Sequence, residues 1–446
     1  MQIKINKIDK QALNVKAIIA TNKLKNFATK TENKNVFFAI NSKKTFDHCL
    51  FIRKLSAMLY NLQSKSINFY FDSFLNLVPK NLVKNVGLAI VCKLYSFNLQ
   101  SFCAKTKKEG KTLSVILTNK YKYLFKIAND IGLATNYAQY AQVAPSNYMG
   151  INKFISFVKN KINSVKKIKL SLVSSKDLNK MQLLQAVNKG SDELAQVLIL
   201  KYFNNLSTKV NIALVGKGIM MDTGGYDLKP SHAMKKMNED MSNAASVFGS
   251  ILALAKTNAK VNVIGIIPLA KNLINAKAYK VGDIYCAYNG KTVEINNTDA
   301  EGRLILADAI SYASKQFKPT TLLSCATLTG LSAICFGDII TPFWTKSFEV
   351  AKKLKYAFDI SGEYSIELPL LPEYFERVEK SSTLADYGNL FGKDSGNATA
   401  AAFLNKFSDC NNFVHLDNAG TNEFKNKSIN PFVLILYNFV LSYFSK

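Results

Sequence analysis

The sequence predicts an α/β protein of two domains, a smaller one over residues 1–135 and a larger one over residues 136–446. Three observations carry that expectation. The chain has 446 residues, 48% of them hydrophobic, enough to bury more than one core. From about residue 145 onward, short apolar runs of strand length alternate with longer stretches of helical length. Before that point the periodic signals are weaker and no catalytic cluster occurs.

In the smaller domain, the apolar runs Val86–Val91 and Leu113–Leu117 predict strands between helices. A helix leads to Pro145-Ser146-Asn147, which opens the larger domain. There, Val210–Val215 reads as a buried strand ending at Lys217, and Met234–Ala255 as a helix with Asp240 near its start. Val261–Ile267 is a further strand, and Tyr285–Ile295 a hairpin turning at Asn289-Gly290. A helix from Glu301 to Lys315 then leads to the strand Thr321–Ala326. The last apolar stretch, Pro431–Phe444, is shorter than the roughly 18 residues of a membrane span and reads as a core helix.

The densest chemistry is Asn297-Thr298-Asp299-Ala300-Glu301-Gly302-Arg303-Leu304, two carboxylates and an arginine at a helix entrance. A second cluster between Val215 and Pro230 holds Lys217, Asp222 and Lys229, and Asp240 follows. Hard or borderline divalent cations take several carboxylate oxygens, and two ions roughly 3.5–4 Å apart need carboxylates that bridge them. Asp222, Asp240, Asp299 and Glu301 supply such oxygens at strand ends and helix starts, where open α/β sheets place their sites. Plainer readings stand beside this one. Thr298 and Glu301 also fit a capping box before Leu304-Ile305-Leu306, and Asp222-Thr223-Gly224-Gly225 fits an ordinary turn after a strand. Gly216-Lys217-Gly218 is not a phosphate loop, because GxxxxGK[ST] is absent.

Taken together, Lys217, Asp222 and Lys229 at their spacing, Asp240 beyond them and the NTDAEGRL run resemble the leucyl aminopeptidase (cytosol aminopeptidase) family of two-metal peptidases. Ala326–Gly330, Ser361–Glu363 with Leu368–Leu370, and His415-Leu416-Asp417 extend the resemblance, which spans roughly residues 140–420. It implies a larger, catalytic domain with a central mixed sheet flanked by helices. It also implies one ion on Lys217, Asp222, Asp240 and Glu301 and a second on Asp222, Asp299 and Glu301. Manganese or zinc is the expected metal, and peptides are the expected substrates.

The same resemblance makes Lys229 and Arg303 the catalytic side chains, with a bicarbonate ion held by Arg303 in place of a protein base. A lysine ligates metal only as the neutral amine, so the Lys217 pKa is expected to be pulled down by burial and by the ions. Lys229 is expected to stay protonated and face the oxygen on which negative charge develops. Met237, Thr327 and Gly330 are expected to line the pocket for the first side chain, an apolar one such as leucine. A homohexamer of two trimers is implied as well. The chain departs from the family pattern at Thr223, in Lys393–Gly396 and in Glu423–Asn430.

Composition bounds the rest. Arg53, Arg303 and Arg377 are the only arginines, so Arg303 stands out inside the signature; a lysine there would lack the planar fork that grips a carbonate. The net charge of +27 invites a nucleic-acid reading, kept as the alternative function. Its lysines are scattered, as in Lys105–Lys111 and Lys159–Lys169, rather than interleaved with arginine and aromatics. His48, His232 and His415 are the only histidines and HExxH is absent, against a histidine-ligated zinc protease. The 7 cysteines include no CxxC pair and fit a reducing compartment. With no apolar leader core at the N-terminus, a cytoplasmic protein without membrane partners is expected.

Overall fold

The computed structural model describes residues 3–8, 10, 12–19, 28–40, 46–62, 66–96, 112–165, 167–392, 396–424 and 427–444. Lys105–Lys111, residues 393–395 and residues 425–426, singled out above, lie outside them. The chain divides into two compact units, Met1–Asn136 with Phe358–Tyr364, and Tyr137–Ala357 with Ser365–Lys446. The uninterrupted larger domain expected from the sequence therefore gives up one short segment. Contacts distant in sequence account for this: Lys93 pairs with Glu363 at 2.5 Å, and the His48 ring meets the Asp359 carbonyl at 2.5 Å.

The first unit holds a six-stranded sheet of β1 (Ile3–Ile5), β2 (Leu13–Ile19), β3 (Thr29–Glu32), β4 (Asn35–Ile40), β5 (Ser66–Tyr70) and β6 (Thr112–Ile116), in the order β1-β6-β5-β2-β4-β3. Every pairing is parallel except that of β3 with β4. β6 matches the predicted strand at Leu113–Leu117, but Val86–Val91 does not form one. That run lies inside the helix Val83–Ser96. Val86, Leu88, Ala89, Ile90, Val91 and Leu94 are all buried, and a short apolar run buried on most sides looks the same in either conformation.

The second unit is built on a nine-stranded mixed sheet. Its strands are β7 (Ile168–Leu172), β8 (Gln196–Phe203), β9 (Ile212–Gly216), β10 (Gly218–Asp222), β11 (Asn262–Asn272), and, after a separate hairpin of β12 (Ile284–Cys286) and β13 (Thr292–Glu294), β14 (Thr321–Ala326), β15 (Ile340–Thr345) and β16 (Tyr364–Glu367). β17 (Tyr387–Gly388) joins the hairpin, and β18 (Phe413–Asp417) completes the large sheet, whose order is β16-β15-β18-β14-β9-β11-β8-β7 with β10 beside β11. β18, β14, β9, β11 and β10 pair in parallel, so their carboxyl ends share one edge.

β9, β14 and β18 are buried along their whole length, as expected of parallel strands covered on both faces. The helices Ser242–Lys256 and Gly302–Phe317 supply much of the cover, each with a nearly continuous run of buried residues. The helix Phe432–Leu441 is likewise buried, and among the described residues no helix is long and apolar enough to cross a membrane. The predicted hairpin forms, with Gly290 at φ +93 in its turn.

One expected helix is broken. Met234–Ala255 resolves into a short helix Ser231–Met234, a 3-10 turn Met237–Glu239 and the helix from Ser242. Asp240 thus lies in the connection and not on the helix. The break sits at Lys236, whose φ of +69 is left-handed; a lysine carries no local preference for that region, so the sequence does not announce it.

Candidate active site

Lys217 follows β9 directly, and its amide donates to the Cys325 carbonyl on β14 at 3.1 Å. Asp222 ends β10, and its Oδ1 accepts from Asn272 Nδ2 and from the Gly224 amide, both at 2.9 Å. Gly224 has φ +86, and a Cβ there would sit 2.4 Å from the Asp227 carbonyl, so only glycine carries the chain from Asp222 round to Lys229 without strain.

The NTDAEGRL loop closes on this turn through Thr298. Its hydroxyl donates to the Gly224 carbonyl at 2.6 Å and accepts from the Asp227 amide at 2.8 Å, while its own amide donates to Asp227 Oδ2 at 2.7 Å. Glu301 occupies the N-cap position with no side-chain cap bond. The capping box that the sequence also allowed is therefore not made. Thr298 and Glu301 serve contacts between loops instead.

These loops bring the predicted residues together. Lys217 Nζ lies 2.7 Å from Asp240 Oδ2, 2.9 Å from Glu301 Oε1 and 3.1 Å from the Thr327 carbonyl. Lys229 Nζ lies 3.0 Å from Asp222 Oδ2 and also pairs with Asp299. Asp222, Asp299 and Glu301 each offer an oxygen, all within 4.8 Å of one another. Arg303 is buried; its Nη1 donates to the Asn389 carbonyl at 2.8 Å, its plane lies over Phe391, and its Nε has no hydrogen-bond partner among the described residues.

The electrostatics follow from four carboxylates crowded into little volume. Burial, then Asp222, raise the pKa of Glu301, and burial raises that of Asp240. For Lys217 burial and its neighbours pull in opposite directions. Burial disfavours its charge, but Asp240, Glu301 and Asp222 outweigh burial and raise its pKa. A neutral amine at this position requires added positive charge beside it. Lys229 is raised in the same way, burial being overcome by Asp222, Glu301 and Asp299. Arg303 is lowered to about 10 by burial.

A cavity of about 690 Å³ opens onto these groups, and Met237, Thr327 and Gly330 line it, as do Leu331, Ala419 and Asn422. A family profile described as the cytosol aminopeptidase family, catalytic domain, matches residues 136–432. The chain belongs to the cytosol aminopeptidase family. It is 36% identical over 381 residues to a probable cytosol aminopeptidase of Mycoplasma pneumoniae, covering 84% of this chain and 85% of that one. A probable cytosol aminopeptidase of Mycoplasma genitalium is 35% identical, with 91% of each chain covered, and one of Saccharophagus degradans is 33% identical over 82% of this chain and 75% of its own. Membership in the cytosol aminopeptidase family makes the chain a peptidase hydrolase with aminopeptidase activity.

Sequence reasoning missed the residues that shape the loops of this cytosol aminopeptidase. Asn389 donates from Nδ2 to the Asn297 carbonyl at 2.7 Å, and its Oδ1 accepts from the Asn296 and Asn297 amides. Asn272 Nδ2 and Tyr279 Oη converge on the Thr298 carbonyl at 3.0 and 2.6 Å. Isolated asparagines and tyrosines carry no spacing signal. A second group with metal-ligand chemistry, His48, Cys49 and Asp359, lies in the first unit. Its ring nitrogen and thiol are engaged by main-chain carbonyls at the end of the helix Phe348–Ile360, His48 with Asp359 and Cys49 with Asp359 and Glu363.

Proposed function

We propose that the chain is a two-metal aminopeptidase that removes N-terminal residues, apolar and leucine-like by preference, from peptides. The observation that carries this reading is the convergence of Asp222, Asp299 and Glu301 oxygens within 4.8 Å, with the Lys217 amine and Asp240 beside them. The donor set fits divalent cations: hard oxygens, one nitrogen and carboxylates crowded enough for a cation to relieve their repulsion. Lys217, Asp222, Asp240 and Glu301 would hold one manganese or zinc ion, and Asp222, Asp299 and Glu301 the other. When bound, such ions polarise the scissile carbonyl and acidify a water.

The chain's own groups do the rest. Lys229 presents an ammonium, kept protonated by its carboxylate neighbours, to the oxygen that becomes negative. Arg303, whose buried Nε has no partner among the described residues, suits an anion such as bicarbonate. Met237, Thr327 and Gly330 bound the space for the first side chain. The names of the relatives support a cytoplasmic site of action, and the resemblance supports a homohexamer.

The deciding experiment is hydrolysis of leucine p-nitroanilide after chelation and after adding back manganese or zinc. Activity lost and then restored is the expected result; a rate indifferent to the chelator overturns metal dependence. A steric test addresses Lys217. A Cβ on Gly302 would lie 2.6 Å from Lys217 Cε and 2.8 Å from its Nζ, so Gly302→Ala should shift the amine and lower turnover by on the order of 10²-fold. The flexible end of the lysine absorbs the clash, so the melting temperature should move by only a few degrees; wild-type turnover would remove Lys217 from the site.

The net charge of +27 supports duplex DNA binding as a second reading. A salt-sensitive mobility shift given by the Asp299→Ala protein is its test, and no shift at low salt rules it out.

A further inference from the structure

Asp417 ends β18 and is 1% exposed, and its carboxylate gathers donors from two separate segments. Oδ1 accepts from the Leu328 amide at 3.0 Å and the Ala419 amide at 3.2 Å. Oδ2 accepts from the Thr329 amide at 3.2 Å, the Thr329 hydroxyl at 2.6 Å and the Ser332 hydroxyl at 2.8 Å. Bonds to an ionised acceptor are stronger than neutral ones, and here one carboxylate collects them from both sides.

What these segments carry gives the arrangement its meaning. Thr327 precedes the clamped Leu328 and Thr329. Its carbonyl receives Lys217 Nζ at 3.1 Å, and its hydroxyl donates to Asp240 Oδ1 at 2.6 Å. Thr327, Gly330 and Leu331 from one segment, and Ala419 and Gly420 from the other, face the same cavity.

We propose that Asp417 is a positioning residue for the peptidase reaction: it clamps the two walls of the side-chain pocket at a set separation and holds Thr327 against Lys217 and Asp240. The inference rests on the reading of this cavity as the pocket for the first residue. Asparagine cannot replace the aspartate, because its amide group turns a donor toward the donors that converge there.

The test uses the full-length, metal-supplemented protein with alanine, leucine and phenylalanine p-nitroanilides, alongside thermal melting and bound-metal analysis. Asp417→Asn is expected to raise KM for the leucine substrate and to shrink the ratio of kcat/KM for leucine over alanine by roughly tenfold, the scale on which apolar pockets discriminate. Thr329→Val, which removes one donor and keeps the side-chain shape, is expected to fall between wild type and Asp417→Asn. A purely structural role would lower all three substrates by one common factor, in step with the loss of folded protein, and that result overturns the proposal. If Asp417→Asn does not fold, Thr329→Val and Ser332→Ala decide, and unchanged selectivity in both overturns it. A wild-type protein inactive on every substrate would instead defeat the proposed function, a failure distinct from unaltered selectivity in an active enzyme.

Discussion

Asp299→Ala is expected to lower hydrolysis of leucine p-nitroanilide by at least about 10³-fold while the protein still folds. The activity loss follows from the clustering: Asp299 is one of three carboxylates whose oxygens lie within 4.8 Å of one another. Two-cation sites contribute several kcal/mol of transition-state stabilisation, and each 1.36 kcal/mol is about a factor of ten in rate. The modest stability effect follows from exposure. The Asp299 side chain is 35% exposed, and its partner Lys229 keeps Asp222 Oδ2 at 3.0 Å, so the lost ion pair is worth about 1 kcal/mol or less. Glu301→Ala should match it in activity but not in stability. Glu301 is 1% exposed, so its removal leaves a cavity beside Lys217, which keeps Asp240 Oδ2 at 2.7 Å, and the melting temperature should fall further than for Asp299→Ala. Kinetics, bound-metal analysis and thermal melting of the two variants check all three statements; an Asp299→Ala protein as active as wild type would end the assignment of this cluster to catalysis.

The second large effect is expected at Lys229. Lys229→Ala should lower kcat by about 10²–10³-fold, the scale on which one donor to a developing oxyanion contributes, with a much smaller change in bound metal. The two roles separate because Lys229 ion-pairs with Asp222 and Asp299 without ranking among their oxygen donors. Its ammonium stays charged against burial through Asp222, Glu301 and Asp299. Lys229→Arg should not restore turnover, since a planar guanidinium on a longer stem cannot occupy the point-charge position of the ammonium. Metal lost in proportion to kcat would recast Lys229 as a residue that assembles the site rather than one that acts in the reaction.

Legibility in the sequence differed by residue. Asp222, Asp240, Asp299 and Glu301 could be named as candidate oxygen ligands from residue type and clustering, and the family resemblance added Lys217, Lys229 and Arg303. The buried strands β9 and β14 were legible because both faces are covered, so their sequences are continuously apolar. The helix Val83–Ser96 was misread for that reason too, since a helix buried on most sides loses its period. Asp240 was placed on the wrong element, because the left-handed turn at Lys236 has no glycine to mark it.

Asp417 illustrates what spacing cannot show. It was visible as part of a family-like run, yet its five donors come from residues 328–332 and from Ala419, most of them distant along the chain. Asn389, Asn272 and Tyr279 are of the same kind. The sequence by itself determined the α/β class and the family and offered the candidate groups for metal, since these depend on residue type and on spacing within short segments. Only the tertiary structure decided which carboxylate oxygens come together, that Thr298 joins two loops rather than capping a helix, and that the carboxylates around Lys217 raise its pKa against burial. Hydrogen bonds and Coulomb interactions act over a few ångströms of space, and distance along the chain does not record them.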